Sequence, residues 1–279
     1  MSDEQRDQPA HRRAPGAAGT SRRNQGVWDA VRGHIEERQS GLGRPLRVLD
    51  LGGGTGGLAV PLAELGHEVT VVDPSPNALA ALEQRAADAG VATRVHGRQG
   101  DADSILDLDL DLDLGTTGGV SAGGASAAYD LVCCHGVLEV VDDPAEALRG
   151  ISGVLAPKGH LSLLVAGRLA VVLAKALAGE VEQATAALTS ADGRWGPTDP
   201  LPRRFDVAGL TALLDETGFT TVQVHGVRVF ADLVPSSALD SAADRAALVE
   251  LERVAATHAH YAEALGGLGS GLHALAQRG

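Results

Sequence analysis

The chain has 279 residues, which suffices for one sizeable α/β domain with extensions. Its formal net charge of −13 argues against a surface that grips nucleic acid non-specifically, because such binding needs clustered cations. Aromatic residues make up only 3% of the chain, so its core must be built mainly from alanine, valine and leucine.

Neither a signal peptide nor a membrane span is predicted. The first 25 residues are polar, and the most hydrophobic region, 161–179, is interrupted by Arg168 and Lys175. Cys133 and Cys134 are adjacent in an apolar run, so we expect two small buried hydrophobes in a reducing cytosol. The sequence therefore predicts a cytoplasmic protein that does not contact a membrane.

A regular alternation of elements follows a polar start. Residues 1–22 are expected to form a disordered tail, and Val27, Val31 and Ile35 recur at the spacing of a helix. Buried strands are then predicted at 46–49, 68–72, 94–96, 129–134 and 161–165. A helix that ends at Leu65 is predicted after the first strand and its glycine turn. Further helices are predicted at 74–89, 144–155, 169–188, 207–217 and 240–264, and a glycine-rich tail follows the last one.

Two further segments complete the prediction of the fold. Residues 107–127 alternate leucine and aspartate and then become rich in glycine and serine, which is typical of an inserted surface loop. The aspartates lack the turn glycine and the spacing of a calcium loop, so no metal is predicted. Segments 220–225 and 227–230 are expected to form a hairpin about Gly226. The pattern predicts an α/β fold with a Rossmann-like, doubly wound, mostly parallel sheet and one antiparallel strand.

A glycine turn after the first strand is the main chemical signal. Asp50 precedes Gly52, Gly53 and Gly54, and such a turn lets the backbone approach a ligand where a Cβ atom would collide. The spacing also fits a dinucleotide-binding turn. However, Asp50 would repel a pyrophosphate, whereas it suits the ammonium and sulfonium groups of S-adenosylmethionine. Little of the chain is left for the substrate domain that a dehydrogenase needs, so the pattern favours a methyl donor.

Two more carboxylates follow the next strands. Asp73 ends the second strand, where a carboxylate can accept hydrogen bonds from both ribose hydroxyls of a nucleoside. It could equally serve as a helix cap before Pro74. Asp101 lies shortly after the third strand, in a position to meet the adenine amino group. The carboxyl ends of parallel strands are the usual ligand-binding edge of such a sheet.

The chain resembles class I S-adenosylmethionine-dependent methyltransferases in residues 48–54 and 154–159. More narrowly, it resembles the bacterial tRNA 5-carboxymethoxyuridine methyltransferase family, which esterifies the carboxylate of a modified wobble uridine. The segments that carry this narrower resemblance are Arg23 with Trp28, 66–69, 73–75, 135–139, 226–230 and 248–252. We expect a methyltransferase domain at 23–235, with the insert at 107–127, followed by a helical extension at 236–279.

The resemblance also implies individual roles. Arg23 would bind the carboxylate of S-adenosylmethionine, and Asp73 would bind its ribose. Gly52 and Gly53 would bind the backbone of the methionine part of the cofactor. Gly100 and Asp101 would flank the adenine, and His135 would line the site. Without the family, His135 would be interpreted as a satisfied histidine at a strand end.

The acceptor is the least determined part of the prediction. An ionised carboxylate needs no general base but does need a cation, for which the sequence offers Arg203, Arg204 and Arg228. The chain departs from the family in its insert and in lacking a lysine-rich stretch before residues 197–202. A small-molecule methyltransferase is therefore the alternative to a tRNA enzyme, and a non-catalytic nucleotide-binding module is a third hypothesis.

Overall fold

The computed structural model describes residues 25–103, 105 and 129–279. Its strands are β1 (Arg47–Leu51), β2 (Glu68–Asp73), β3 (Val95–Gln99), β4 (Tyr129–His135), β5 (Leu155–Ala166), β6 (Phe219–Val227) and β7 (Gly271–Arg278). Its helices are α1 (Gln25–Leu42), α2 (Ala59–Glu64), α3 (Pro76–Asp88), α4 (Pro144–Val154), α5 (Arg168–Leu177), α6 (Val181–Thr189), α7 (Val207–Glu216), α8 (Ala242–Thr257) and α9 (Ala262–Gly266). The tail predicted at 1–22 and the insert predicted at 107–127 lie outside the described residues.

The described strands form one sheet in the order β3-β2-β1-β4-β5-β7-β6. The first five pair in parallel, and β7 runs antiparallel to both β5 and β6. The α/β class and the mostly parallel sheet with one antiparallel strand are thus confirmed. Because β1, β2, β4 and β5 are parallel, their carboxyl ends meet at one edge of the sheet, which we call the carboxyl edge.

Helices cover both faces of the sheet, which explains the continuous apolar strands. On one face, α1, α2 and α3 pack against β1 and β2, and Val31 and Ile35 of α1 are fully buried there as the helical spacing predicted. On the other face, α4 and α7 pack against β4, β5 and β7 through residues such as Ile151 and Leu210. Cys133 and Cys134 are free and buried, as expected. In the part of the chain that is described, no helix is both long and apolar enough to cross a membrane.

The antiparallel strand is not the one that the sequence suggested. The hairpin predicted about Gly226 is wrong, because β6 continues through this residue to Val227. A Cβ atom at Gly226 would lie 2.2 Å from the carbonyl oxygen of Gly266, so this glycine permits a close backbone contact and does not form a turn. The backbone N–H groups of residues 229–231 instead donate to the carboxylate of Glu252.

Strand β7 comes from the last residues of the chain, which the sequence suggested as a glycine-rich tail. Leu272, Ala274 and Ala276 alternate along it and are fully buried, so this segment has the period of a strand. The region 236–279, expected as a helical extension, therefore consists of α8 and α9 followed by a strand that lies between β5 and β6.

Candidate functional site

The glycine turn after β1 brings the backbone to the carboxyl edge of the sheet. Gly52 has φ +72°, which favours glycine, and its N–H donates to the carbonyl of Val72 at the end of β2, at 2.7 Å. A Cβ atom at Gly52 would lie 2.4 Å from Cγ2 of Val137, in the segment after β4. The turn is therefore held between β2 and the β4 segment, and only a glycine fits there.

Gly53 lies directly on the carboxylate of Asp50. A Cβ atom at this position would be 2.4 Å from Oδ2 of Asp50 and 2.9 Å from Cγ1 of Val71. Asp50 is buried, and its Oδ2 has no hydrogen-bond partner among the described residues. Burial, assisted by the negative charge of Asp73, raises the pKa of Asp50 to about 7. A buried carboxylate without a donor is suited to receive a cationic ligand.

Asp73 connects the glycine turn to the start of α3. Its Oδ2 accepts from the N–H of Gly54 at 3.0 Å, and its Oδ1 accepts from the N–H of Ser75 at 2.9 Å. Each carboxylate oxygen has a further lone pair, so the group can still accept two hydroxyl donors. The cap of α3 is supplied by the side chain of Ser75, not by Asp73. This geometry leaves Asp73 available for a ribose.

Three other residues predicted to bind the cofactor are Gly100, Asp101 and Arg23, and the structure describes the first two of them. The N–H of Gly100 donates to the backbone carbonyl of Asp73 at 3.3 Å, which brings the segment after β3 beside β2. Asp101 follows it with an exposed side chain at the same edge. Arg23 lies outside the described residues. The structure thus brings together the carboxylates of residues 50 and 73 and the glycines of residues 52–54, with the backbone of Gly100 beside Asp73.

His135 lies at the carboxyl end of β4, two strands away from Asp73. Its Nε2 is 2.8 Å from Oγ of Ser162 on β5. Burial lowers the pKa of His135 to about 4, so the imidazole is neutral near pH 7. A neutral imidazole carries one N–H donor and one acceptor nitrogen.

Glu139 is a buried group that the sequence did not single out. Its Oε1 accepts from the N–H of Ala166 at the end of β5, at 2.6 Å, while its Oε2 is buried without a partner among the described residues. Burial raises the pKa of Glu139. The sequence signal that could have revealed it is a glutamate inside the apolar run of residues 137–141.

Each of the three arginines predicted to hold an acceptor has partners within the protein. Arg203 donates to the backbone carbonyls of Leu138, Val141 and Asp142, in the segment that follows His135. The other two form ion pairs instead: Arg204 is buried and binds Asp199 through both Nη atoms, at 2.6 and 2.9 Å, and Arg228 binds Asp232. Their role in binding an acceptor stays a prediction.

No cluster of metal-ligating side chains occurs in residues 25–103, 105 and 129–279. The aspartates of the insert lie outside this part, so the absence of a metal remains a prediction.

Comparison with known proteins identifies the domain that carries this site. Residues 49–161 match the family model described as "Methyltransferase domain". The chain is 32% identical over 190 residues to tRNA 5-carboxymethoxyuridine methyltransferase of Escherichia coli (strain K12), covering 67% of this chain and 64% of that protein. It thus spans slightly less than two thirds of that relative. It is also 31% identical over 134 residues to ubiquinone biosynthesis O-methyltransferase of Azorhizobium caulinodans, covering 48% of this chain and 46% of that protein.

A solved structure supports the fold. Magnesium protoporphyrin IX methyltransferase from Synechocystis PCC 6803, solved with bound SAH, superposes with a TM-score of 0.55 at 18% identity, covering 92% of this chain and 84% of that one. The resemblance to methyltransferases is confirmed for residues 49–161, and the superposition confirms the class I methyltransferase fold. The chain therefore contains a methyltransferase domain at residues 49–161.

Proposed function

Because this chain carries a methyltransferase domain, we propose that it methylates the carboxylate of a modified wobble uridine, 5-carboxymethoxyuridine, in tRNA. The observation that carries the proposal is the 190-residue similarity to the Escherichia coli enzyme of that name. This similarity extends well beyond residues 49–161, which match the general methyltransferase domain.

The carboxyl edge of the sheet offers the groups that such a cofactor needs. S-adenosylmethionine supplies an electrophilic methyl group on a sulfonium and also carries an ammonium, a carboxylate and a ribose. Asp50 has a buried oxygen without a donor, which suits a cation, and Asp73 can accept from ribose hydroxyls. The positions of Gly52 and Gly53 leave no room for a Cβ atom, because Val137 and the Asp50 carboxylate lie against them. Arg23 and Asp101 remain proposed contacts to the carboxylate and the adenine.

A carboxylate acceptor agrees with the protonation states at the site. An acceptor carboxyl group with a pKa near ~4 is ionised at neutral pH and can attack a methyl group directly. The chain then needs to orient the acceptor and exclude water, not to remove a proton. The low pKa of His135 makes it a poor base near pH 7 but leaves it able to donate one hydrogen bond.

Arg203 is the proposed cation for the acceptor among the three predicted arginines. It binds the carbonyls of the segment that directly follows His135, so its guanidinium lies beside this part of the carboxyl edge. Arg204 and Arg228 also remain proposed contacts to the acceptor. Each is already paired with an aspartate, Asp199 and Asp232 respectively, so an acceptor carboxylate would have to compete with that ion pair.

A small-molecule methyltransferase is the second candidate. Two observations favour it: the net charge of −13 is unfavourable for binding the phosphates of tRNA, and ubiquinone biosynthesis O-methyltransferases are also among the relatives. In that case the acceptor would be a hydroxyl or amine of a metabolite, and a group that accepts its proton would be required.

The two candidates differ in where a labelled methyl group arrives. The purified chain is incubated with methyl-labelled S-adenosylmethionine and either bulk tRNA, tRNA lacking the carboxymethoxy group, or an RNA-free metabolite extract. The proposal predicts label in the first tRNA alone, released by mild alkali as expected for an ester. Label in the metabolite extract and in neither tRNA would overturn it in favour of the second candidate. Asp73→Ala is the control, because it should reduce transfer to any acceptor.

A further inference from the structure

Four polar side chains cross the sheet from β4 to β6 on one face. We call this set the histidine row: His135 of β4, Ser162 of β5, His273 of β7 and His225 of β6. His273 pairs with Leu164 of β5 on one side and with His225 on the other, and His135 pairs with Leu164. The row therefore reaches from the carboxyl edge beside the cofactor residues to the outer strand.

A single hydroxyl joins the two inner histidines. Oγ of Ser162 lies 2.8 Å from Nε2 of His135 and 2.8 Å from Nε2 of His273. His225 makes a ring contact with His273, with the centroids 4.8 Å apart. Ser162 and His273 are fully buried, so water does not replace these hydrogen bonds. The hydrogen-bonded part of the row consists of His135, Ser162 and His273.

The number of protons shared by His135, Ser162 and His273 restricts which tautomer each histidine can adopt. A serine hydroxyl carries one proton, so it donates to one Nε2 and accepts from the other. Nδ1 of His273 is buried without a partner among the described residues. A buried N–H without a partner is rarer than an acceptor left unsatisfied, so His273 is best placed with its proton on Nε2. It then donates to Ser162, and Ser162 donates to Nε2 of His135.

We propose that Ser162 and His273 are positioning residues that hold His135 as the neutral tautomer with its proton on Nδ1. His135 is partly exposed at the end of β4, whereas the other two residues are buried beneath it. Nδ1–H is then the single N–H donor of the His135 ring, and we assign it the role of orienting an acceptor oxygen at the carboxyl end of β4. This inference rests on the proposed methyl transfer for its purpose, but the tautomer itself does not depend on it.

Burial keeps the row uncharged. Burial lowers the pKa of His135 to about 4, and it lowers the pKa of His273 well below its ordinary value, with smaller contributions from the two neighbouring histidines. Burial also lowers the pKa of His225. A second proton on His135 would sit on Nε2, which could then no longer accept the hydrogen bond from the Ser162 hydroxyl. The hydrogen bonds from His273 to Ser162 and from Ser162 to His135 therefore require a neutral His135 ring.

The tautomer can be measured directly. In the full-length protein labelled with ¹⁵N-histidine, long-range ¹⁵N–¹H correlation at pH 7 should show His135 protonated on Nδ1 and His273 on Nε2. Ser162→Ala should turn His135 into a mixture of tautomers, while Ser162→Thr, which keeps the hydroxyl, should preserve the wild-type pattern. His225→Gln is the matched control, because His225 has only a ring contact with the chain of hydrogen bonds. A wild-type His135 protonated on Nε2 would overturn the proposal.

Kinetics separate this inference from the proposed function. Ser162→Ala should lower kcat for methyl transfer by about 2- to 10-fold, as the loss of one oriented hydrogen bond predicts, with the KM for S-adenosylmethionine unchanged. His273→Gln, whose amide can still donate to Ser162, should retain more activity than His273→Leu. If no acceptor is methylated but the tautomers are as predicted, the proposed function fails and the positioning assignment stands. Equal activity of Ser162→Ala and the wild type, with an altered tautomer, would contradict the positioning role.

Discussion

At the scale of single residues, the unusual feature is a carboxyl group that is half protonated near neutral pH. Within the described part of the chain, Oδ2 of the buried Asp50 receives no hydrogen bond, and burial raises the pKa of Asp50 to about 7. A cation that binds beside it favours the ionised form and lowers this pKa. Binding of S-adenosylmethionine is therefore expected to be coupled to loss of a proton.

This coupling gives the first prediction. At pH 7 the binding of S-adenosylmethionine should release about half a proton from Asp50, and affinity should rise between pH 6 and pH 8. Calorimetry in two buffers with different ionisation enthalpies measures the release. Asp50→Asn should weaken binding and remove this contribution, which separates it from ionisation of the ligand. Identical proton release in wild type and variant would contradict the assignment.

Asp73 gives a second prediction with a different physical basis. Asp73→Ala should weaken the binding of S-adenosylmethionine by roughly 1–3 kcal/mol, because hydrogen bonds to the ribose are lost. Asp88→Ala is the control: Asp88 is an exposed carboxylate at the opposite end of α3, bonded to Gln84. A titration that gives equal dissociation constants for Asp73→Ala and wild type would remove Asp73 from the site.

The residues proposed to bind the cofactor are easier to find in the sequence than those proposed to position the acceptor. Asp50, Gly52 and Asp73 belong to contiguous strand–turn–helix segments, whose chemistry is legible within a few residues. Ser162 and His273 are 111 residues apart and meet only because β5 and β7 are neighbours. The sequence likewise does not reveal which carboxylate an arginine is paired with. Arg204 is an example, because both of its Nη atoms donate to Asp199.

At the scale of elements, the glycine turn depends on contacts as much as on backbone freedom. Gly53 has no positive φ, yet a Cβ atom there would overlap Asp50 and Val71. Gly57, four residues later in the same turn, has open space around its Cβ position. The two glycines therefore form a matched pair.

We predict that Gly53→Ala abolishes most binding of S-adenosylmethionine, because the new methyl group must displace the Asp50 carboxylate. Gly57→Ala should bind like wild type. Both variants should be compared by calorimetry, with circular dichroism to show that each retains its secondary structure. If the two alanine variants bind equally well, the close contact between Gly53 and Asp50 is not essential to the site.

The elements most easily predicted were those with a long, simple period. Strands β1 to β4 and helices such as α7 agree with the sequence expectation to within a few residues, whereas β5 begins at Leu155, six residues before the predicted start. The prediction failed after residue 218, where Gly226 suggested a turn. Its true cause, the contact with Gly266 some 40 residues later, is a tertiary feature that local patterns do not contain. Strand β7 was missed because alternating small residues between glycines look like a flexible tail.

At the scale of the whole molecule, several buried histidines make stability depend on pH. Burial lowers the pKa values of His34, His135 and His160 from 6.5 to about 4. Between these values the unfolded chain binds protons that the folded chain excludes, so stability falls as the pH drops from 6.5 towards 4. Asp50 and Glu139 act in the opposite direction, because burial raises the pKa of Asp50 from its ordinary value of 3.8 to about 7 and also raises the pKa of Glu139, but the buried histidines outnumber these two groups.

We therefore predict that the thermal unfolding midpoint decreases steadily from pH 7 to pH 5. The His34 and His160 rings are in contact, with centroids 4.3 Å apart, and both should contribute. The double variant His34→Gln/His160→Gln should show a shallower decrease, even if its midpoint at pH 7 is lower. Differential scanning calorimetry at constant ionic strength measures both slopes. A midpoint that is constant or higher at pH 5 in the wild type would contradict the linkage.

The acidic surface bears on how the whole protein would meet tRNA. With a net charge of −13, long-range attraction to phosphates is weak, so recognition of a tRNA would have to rely on local contacts near the modified base. This is why the labelled-methyl experiment compares tRNA with metabolites.

The most direct test concerns the cofactor, on which the proposed methyl transfer depends. S-adenosylmethionine and NAD are titrated separately into the purified protein by isothermal calorimetry. We expect saturable binding of S-adenosylmethionine at one site per chain and no binding of NAD. Uptake of NAD with no heat from S-adenosylmethionine would contradict it, because the buried carboxylate beside the glycine turn would then not be serving a cationic methyl donor.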